Sequence, residues 1–336
     1  MISGDARLNA LLADITGALI SDDLRKFLAS LDTAAQIGRA YQSNLEKPQP
    51  IEFTEPPTMI AFPDAMGLRG VSFASHEPVL FVGFPGDGKT TFCTNLIAHQ
   101  IMEKRRVVLM HNEGDTQEYA AGIYRIVWSL VPGISSRRIS LDDVFSPEEK
   151  IKAQKWVDSS PNLSIVDIAK SNPQDVVARM TQLYSKNQAD IILFDYLQNV
   201  TVSDPNKRFV AWSWLALQIE SICKTWRKPI IVFAQMNREG GREALPDKAP
   251  SLGVTEGCPL IEQKAGVVVN LRNGSKNIRD WDKAPFFWIN VAKNRRGPGG
   301  QRSTKLDTTS GALVGQMQPD EFERVHEMIN AQRKRK

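Results

Sequence analysis

The sequence predicts an α/β fold: a mostly parallel sheet flanked by helices and preceded by a short helical segment. Three observations carry this. Short apolar runs alternate with helical stretches from residue 79 onward. The runs are mostly apolar, as strands buried on both faces of a sheet tend to be. The first of them opens directly into Gly83-Phe84-Pro85-Gly86-Asp87-Gly88-Lys89-Thr90-Thr91, a glycine-rich loop with a helical run behind it.

The expected strands are Val79–Val82, Val107–Met110, Leu163–Asp167, Ile191–Phe194, Ile230–Ala234, Val267–Leu271 and Phe287–Ala292. Helical stretches such as Phe209–Trp226 supply the crossovers that parallel strands need. Upstream, apolar residues from Leu8 to Leu31 recur at three- and four-residue steps, which predicts helix over residues 1–45. Pro48, Pro50, Pro56, Pro57 and Pro63 then oppose helix and sheet interior alike, so residues 46–75 are expected as an extended linker. The α/β domain is expected over 76–318, and a helix ending in the basic run Arg333-Lys334-Arg335-Lys336 over 319–336.

Composition narrows the class. The chain has 336 residues, 42% hydrophobic, enough for one large domain and a smaller appendage. A net charge of +4 permits a nucleic-acid partner without demanding one. Cys93, Cys223 and Cys258 stand far apart, which argues against a disulfide framework or a zinc site and suits a reduced compartment. The first residues carry no signal pattern, and no apolar run approaches the ~20 residues of a membrane span. A soluble, cytoplasmic protein with no membrane partner is expected.

The glycine loop fits G-x-x-x-x-G-K-[ST] in the strand–loop–helix setting that its chemistry needs. Its glycines let successive N–H groups turn toward phosphate oxygens, and the helix N-terminus adds a favourable dipole. Gly83, Pro85, Gly86, Asp87, Gly88, Lys89, Thr90 and Thr91 are therefore the candidate nucleotide cradle. Lys89 is expected to reach the phosphates and Thr90 to ligate Mg2+. A second strand must present an acid to the metal, and Asp195 closes the apolar run Ile191–Phe194 at the end where ligands gather in open α/β sheets. Hydrolysis also needs a group that orients or deprotonates water. Glu113 follows Val107–Met110, on the strand expected beside the loop strand, and is the candidate base. Asp115 and Glu118 compete, but both fall at the start of the next helix. His111 reads as structural. Gln235, at the end of Ile230–Ala234, is placed to sense a γ-phosphate and report to the long polar loop that follows, Glu239 to Gly253.

Together these segments resemble the motor domain of DnaB-type replicative helicases and their phage relatives, from about Val79 to Gly300. Beside the glycine loop, His111-Asn112-Glu113-Gly114 stands where that family has Ser-Leu-Glu-Met. Asp195-Tyr196-Leu197-Gln198, Gln235-Met236-Asn237-Arg238, Ile261-Glu262-Gln263-Lys264-Ala265 and Ala292-Lys293-Asn294-Arg295-Arg296-Gly297-Pro298 each resemble a family segment. The resemblance implies a RecA-like P-loop NTPase using ATP and Mg2+, assembled as a homo-oligomeric ring, expected to be a hexamer, around single-stranded DNA. It implies 5′-to-3′ unwinding in a bacterial cytoplasm, a host's if the chain is phage-encoded, with a primase or loader as further partners. It implies that Lys293 and Arg295 reach the neighbouring subunit's γ-phosphate and that Arg272 packs on the adenine base. The chain departs from the family at Thr255-Glu256-Gly257-Cys258-Pro259-Leu260, where the family has Arg-Glu-Ser-Gly against the DNA backbone. Arg238, Arg242, Lys248, Glu256, Gly257 and Lys264 are the candidates for DNA contact. Two other readings share the fold: a RecA-like filament-forming recombination ATPase, and a helicase-loading protein that uses ATP as a switch.

Overall fold

The computed structural model describes residues 56–131, 146–237, 252–274, 286–318 and Glu327. The chain divides between Pro56 and Pro57 into two units, and every strand and helix among the described residues belongs to the second. The expected amino-terminal helices, the first part of the linker and the basic tail lie outside the described residues, apart from a helical Glu327.

The main sheet has eight strands. They are β3 (Val79–Gly83), β4 (Val107–His111), β5 (Leu163–Asp167), β6 (Ile191–Asp195), β7 (Ile230–Gln235), β8 (Val267–Asn273), β9 (Phe286–Asn294) and β10 (Gly300–Lys305). Their order is β10-β9-β8-β3-β7-β6-β4-β5. From β8 to β5 all neighbours are parallel. β9 and β10 close that side as an antiparallel pair.

Residue alternation explains the layers. Val79 and Phe81 of β3 enter one apolar cluster, with Leu109, Leu193 and Phe233 of its neighbours. Leu80 and Val82 enter the other, with Met110, Phe194 and Val232. The first face is covered by α1 (Lys89–Met102), α2 (Thr116–Leu130) and α3 (Pro147–Ser159). The second is covered by α4 (Pro173–Ser185), α5 (Arg208–Trp226) and the short α6 (Pro259–Lys264). Local sequence sets the helix starts. Ser146 with Glu149, and Asn172 with Asp175, form capping boxes, each with proline in the first turn. Asp115 caps α2 and Glu118 lies in its first turn, as expected of these two acids. Among the described residues no helix is long and apolar enough to cross a membrane.

Two expectations need correction. Residues 57–75 are not linker. β1 (Met59–Ala61) and β2 (Ser72–Ala74) pair antiparallel, and Ile60, Phe62, Met66, Leu68, Val71 and Phe73 are buried in the first core face. The prolines punctuate this segment without preventing burial, because Pro63 falls between a strand and a short 3-10 turn. Second, β4 does not lie beside the loop strand β3, because β7 and β6 stand between them. Glu113 reaches the site from further across the sheet than expected.

Candidate nucleotide site

β3, β7, β6 and β4 run parallel, so their carboxyl ends share one edge. Register brings the candidate residues into line there. Gln235 pairs with Gly83, and Asp195 pairs with His111, two residues before Glu113. At this edge lies a cavity of about 570 Å³, in the range of ligand pockets. It is lined by Pro85, Gly86, Gly88, Lys89, Thr90, Thr91, Glu113, Asp195, Tyr196, Gln235, Asn273, Phe287 and Leu306. The structure thus gathers the proposed cradle, base, metal acid and sensor in one place.

The loop's shape follows from its residues. Gly88 has φ 88°, and a Cβ there would lie 2.4 Å from Phe287 Cε1. Only glycine meets both conditions. Asp87 is buried and shapes the loop, accepting from the backbone N–H of Phe84 at 3.2 Å and of Asn273 at 3.4 Å. Lys89 Nζ donates to Gly83 O (2.9 Å) and Phe84 O (3.1 Å) and lies 5.9 Å from the centre of the Tyr196 ring.

The acids are held by neighbours that sequence reasoning missed. Tyr119 on α2 donates its hydroxyl to Asp195 Oδ2 at 2.9 Å. Burial pushes the Asp195 carboxyl up to about 6, while the Tyr119 bond and the Lys89 charge pull it down and Glu113 raises it. The Asn112 side chain exchanges two 3.0 Å hydrogen bonds with the Tyr196 backbone, tying the strand end that carries Glu113 to the one that carries Asp195. Gln198 does the same between β6 and β7. It accepts from Gln235 N at 2.8 Å and donates to Gln235 O (3.3 Å) and Glu256 O (2.9 Å). His111 is buried, with its ring nitrogens 3.2 Å from Glu113 O and 2.9 Å from Thr116 Oγ1, a structural role as read.

The remaining candidates lie apart. Arg272 stands at the carboxyl end of β8 and does not line the cavity, although its neighbour Asn273 does. Lys293 is in register with Val268, and Arg295 N donates to Gly266 O, so both lie at the amino-terminal edge of the parallel strands. β3 separates that edge from the phosphate loop by four residue steps, roughly 13 Å. Lys293 Nζ donates to Glu262 O and Gln263 O, each at 2.8 Å. Arg295 pairs with Glu77 at 3.1 Å and donates to Gln263 O at 3.0 Å, and Arg296 also pairs with Glu77. Burial alone would raise the Glu77 carboxyl, but hydrogen bonds from Arg296 and Arg295 outweigh it and hold it below the ordinary range. Arg238, Arg242 and Lys248 lie outside the described residues. Glu256 N donates to Gln235 O at 2.9 Å, so that residue follows the sensor strand. Gly257 has φ 63°, and a Cβ there would meet Trp212 at 2.6 Å. Lys264 is engaged by Glu220 of α5 at 3.0 Å.

The model of the DnaB-like helicase C-terminal domain matches residues 70–310, which include every site residue above. The chain belongs to the DnaB-like helicase C-terminal domain family. It is 25% identical over 249 residues to a probable replicative DNA helicase of Trieres chinensis, a match covering 70% of this chain and 52% of that one. It is 24% identical over 238 residues to the replicative DNA helicase DnaB of Haemophilus influenzae, covering 68% and 49%. The chain therefore spans about half the length of these DnaB-like relatives. Among solved structures, an isolated ATPase domain superposes with a TM-score of 0.61 at 18% identity, covering 85% of this chain and 98% of that one. A KaiC-like protein of Pyrococcus horikoshii superposes with a TM-score of 0.52 at 16% identity, covering 77% and 99%. These likenesses show the RecA-like ATPase fold.

Proposed function

We propose that this chain is the ATP-driven motor of a ring-shaped DNA helicase acting in replication, working in a bacterial cytoplasm. The observation that carries the reading is the separation of the site into two halves. One edge of the sheet gathers the cradle, Glu113, Asp195 and Gln235, and the opposite edge holds Lys293 and Arg295, out of reach of the chain's own cavity. A cation from a second copy would complete the site, and a closed ring supplies one to every protomer.

The donor set fits Mg2+. One hydroxyl, Thr90, and one carboxylate, Asp195, share the cavity with the phosphate cradle, and Mg2+ is commonly held by one or two carboxylates plus substrate phosphates. Bound there, it neutralises charge on the transferring phosphoryl group. Lys89 and the loop amides grip the phosphates of ATP. Glu113 orients and deprotonates the attacking water. Gln235 registers the γ-phosphate, and its backbone bonds to Gln198 and Glu256 pass the change to the loop carrying Gly257, which faces single-stranded DNA in this reading. A guanidinium on the transferring group is worth roughly 10³–10⁵ in rate, so Arg295 of one copy governs turnover in the next. Hexameric stoichiometry, 5′-to-3′ travel and a primase partner belong to this proposal by likeness. A DnaB-like replicative helicase studied for its interactions with primase superposes at a TM-score of 0.56 and 21% identity.

Mixing Arg295→Ala chains with wild type tests it. Activity of single-stranded-DNA-stimulated ATPase should fall faster than the wild-type fraction. A fall in simple proportion would refute a shared site. Electron microscopy with an ATP analogue and oligonucleotide should show closed rings, and open filaments would favour the recombination-type reading instead.

A further inference from the structure

Asp195 is buried, and the only hydrogen bond to its side chain among the described residues comes from the Tyr119 hydroxyl, on Oδ2. Tyr119 is itself buried, at 6% exposure. His111 packs against the Tyr119 ring that makes this bond. Its ring centre lies 4.8 Å from that of Tyr119, and its nitrogens are held by Glu113 O and Thr116.

The chemistry of this bond concerns the carboxylate argued to hold Mg2+. A carboxylate beside a hard cation works best when one oxygen is occupied by a fixed donor, leaving the other for the metal's shell. The phenol proton occupies Oδ2 and leaves Oδ1. We propose that Tyr119 is a positioning residue for the metal, orienting the Asp195 carboxylate through its hydroxyl. The proposal rests on the ATP–Mg2+ reading above. A tyrosine at this point of a helix otherwise reads as a core aromatic, which is why the sequence alone did not reveal it.

The test is Tyr119→Phe in the full chain, with Mn2+ as probe and a non-hydrolysable ATP analogue present, free Mn2+ being counted by electron paramagnetic resonance. Thermal melting is followed in parallel. Wild type should bind one nucleotide-dependent Mn2+ per chain. The variant should lose Mn2+ affinity by about tenfold or more, since groups that hydrogen-bond a metal ligand typically carry roughly 10–100-fold. Its affinity for the analogue in EDTA should stay within about twofold. Mn2+ affinity within twofold of wild type would overturn the proposal. Tyr119→Leu separates the hydroxyl from mere packing. Equal loss in both variants, whatever their melting temperatures, supports the positioning role of the hydroxyl, whereas a loss that tracks melting temperature overturns it. A wild type with no nucleotide-dependent Mn2+ site would sink the ATP–Mg2+ reading itself, and this inference with it.

Discussion

Gly88→Ala probes the loop on which the rest of the site depends. A Cβ at Gly88 would lie 2.4, 2.9 and 3.1 Å from Phe287 Cε1, Cζ and Cδ1, at φ 88°. The left-handed backbone costs a non-glycine residue roughly 1–2 kcal/mol, and overpacking against a buried ring costs roughly 1–3 kcal/mol more. A free loop can relax away from that shape, but a loop gripping phosphates cannot, so the cost falls on nucleotide affinity. The sum of about 2–5 kcal/mol corresponds to a loss of at least about 30-fold. Phe287→Leu removes the two closest ring atoms. In the double variant the steric part should vanish and the backbone part remain, leaving a loss of roughly 5- to 30-fold. Fluorescence anisotropy of a labelled ATP analogue measures all four corners of this cycle. Gly88→Ala binding within twofold of wild type, or a double variant no better than Gly88→Ala, would refute the argument that Phe287 and the left-handed turn shape the cradle.

Three further outcomes follow from the geometry. Glu113→Gln should keep ATP affinity within a few-fold and cut steady-state turnover by about 10²-fold or more, and retained turnover would move the base elsewhere. Gly257→Ala, whose Cβ would meet Trp212 at 2.6 Å, should weaken single-stranded DNA binding in filter assays by about tenfold and spare ATP binding. The third concerns acid stability. The Arg106 hydrogen bond holds the Asp190 carboxyl below its ordinary 3.8 despite burial. A depressed carboxyl stabilises the fold fully above pH 3.8 and loses that stabilisation as the pH falls through its lower folded value. With both side chains about one-third exposed, screening keeps the effect to roughly 1 kcal/mol. Denaturant melts of Asp190→Asn should therefore match wild type more closely at pH 3 than at pH 7, and the opposite trend would refute the pairing.

How much of this was legible depends on whether a residue's signal is local. All seven expected strands exist, because each is a mostly apolar run, and α2, α3 and α4 between them carry their own side-chain caps. β10 reads Gly-Gln-Arg-Ser-Thr-Lys and sits at the sheet edge, where no apolar period is required. β1 and β2 hide among prolines. The order of strands has no sequence signal at all, so β4 was expected beside β3, and only the fold shows β6 and β7 between them. The cradle, Glu113, Asp195 and Gln235 were legible because strand ends and glycines announce them. Tyr119, Asn112, Gln198 and Glu77 were not, since their partners lie 76, 84, 37 and 218 residues away.

Those long-range partners also determine how the two edges of the sheet communicate. Glu262 is buried on α6, and its carboxylate accepts from the backbone N–H of Gly253 (2.7 Å), Val254 (3.1 Å) and Thr255 (2.7 Å). The next residue, Glu256, is bonded to Gln235 and Gln198. The loop at 253–257 is thus held from one side by the strand that ends in the candidate sensor and from the other by α6. The carbonyls of Glu262 and Gln263 in α6 are in turn held by Lys293 and Arg295. Either cation can reach toward a neighbouring chain only by breaking those bonds, which frees the end of α6 while Glu262 still grips the loop. A fixed carboxylate with three backbone partners transmits that displacement more rigidly than side-chain packing would, because its contacts are directional and two of the three are buried. Under the ring proposal, loop position is set jointly by the chain's own nucleotide, through Gln235, and by the neighbour's, through Lys293 and Arg295.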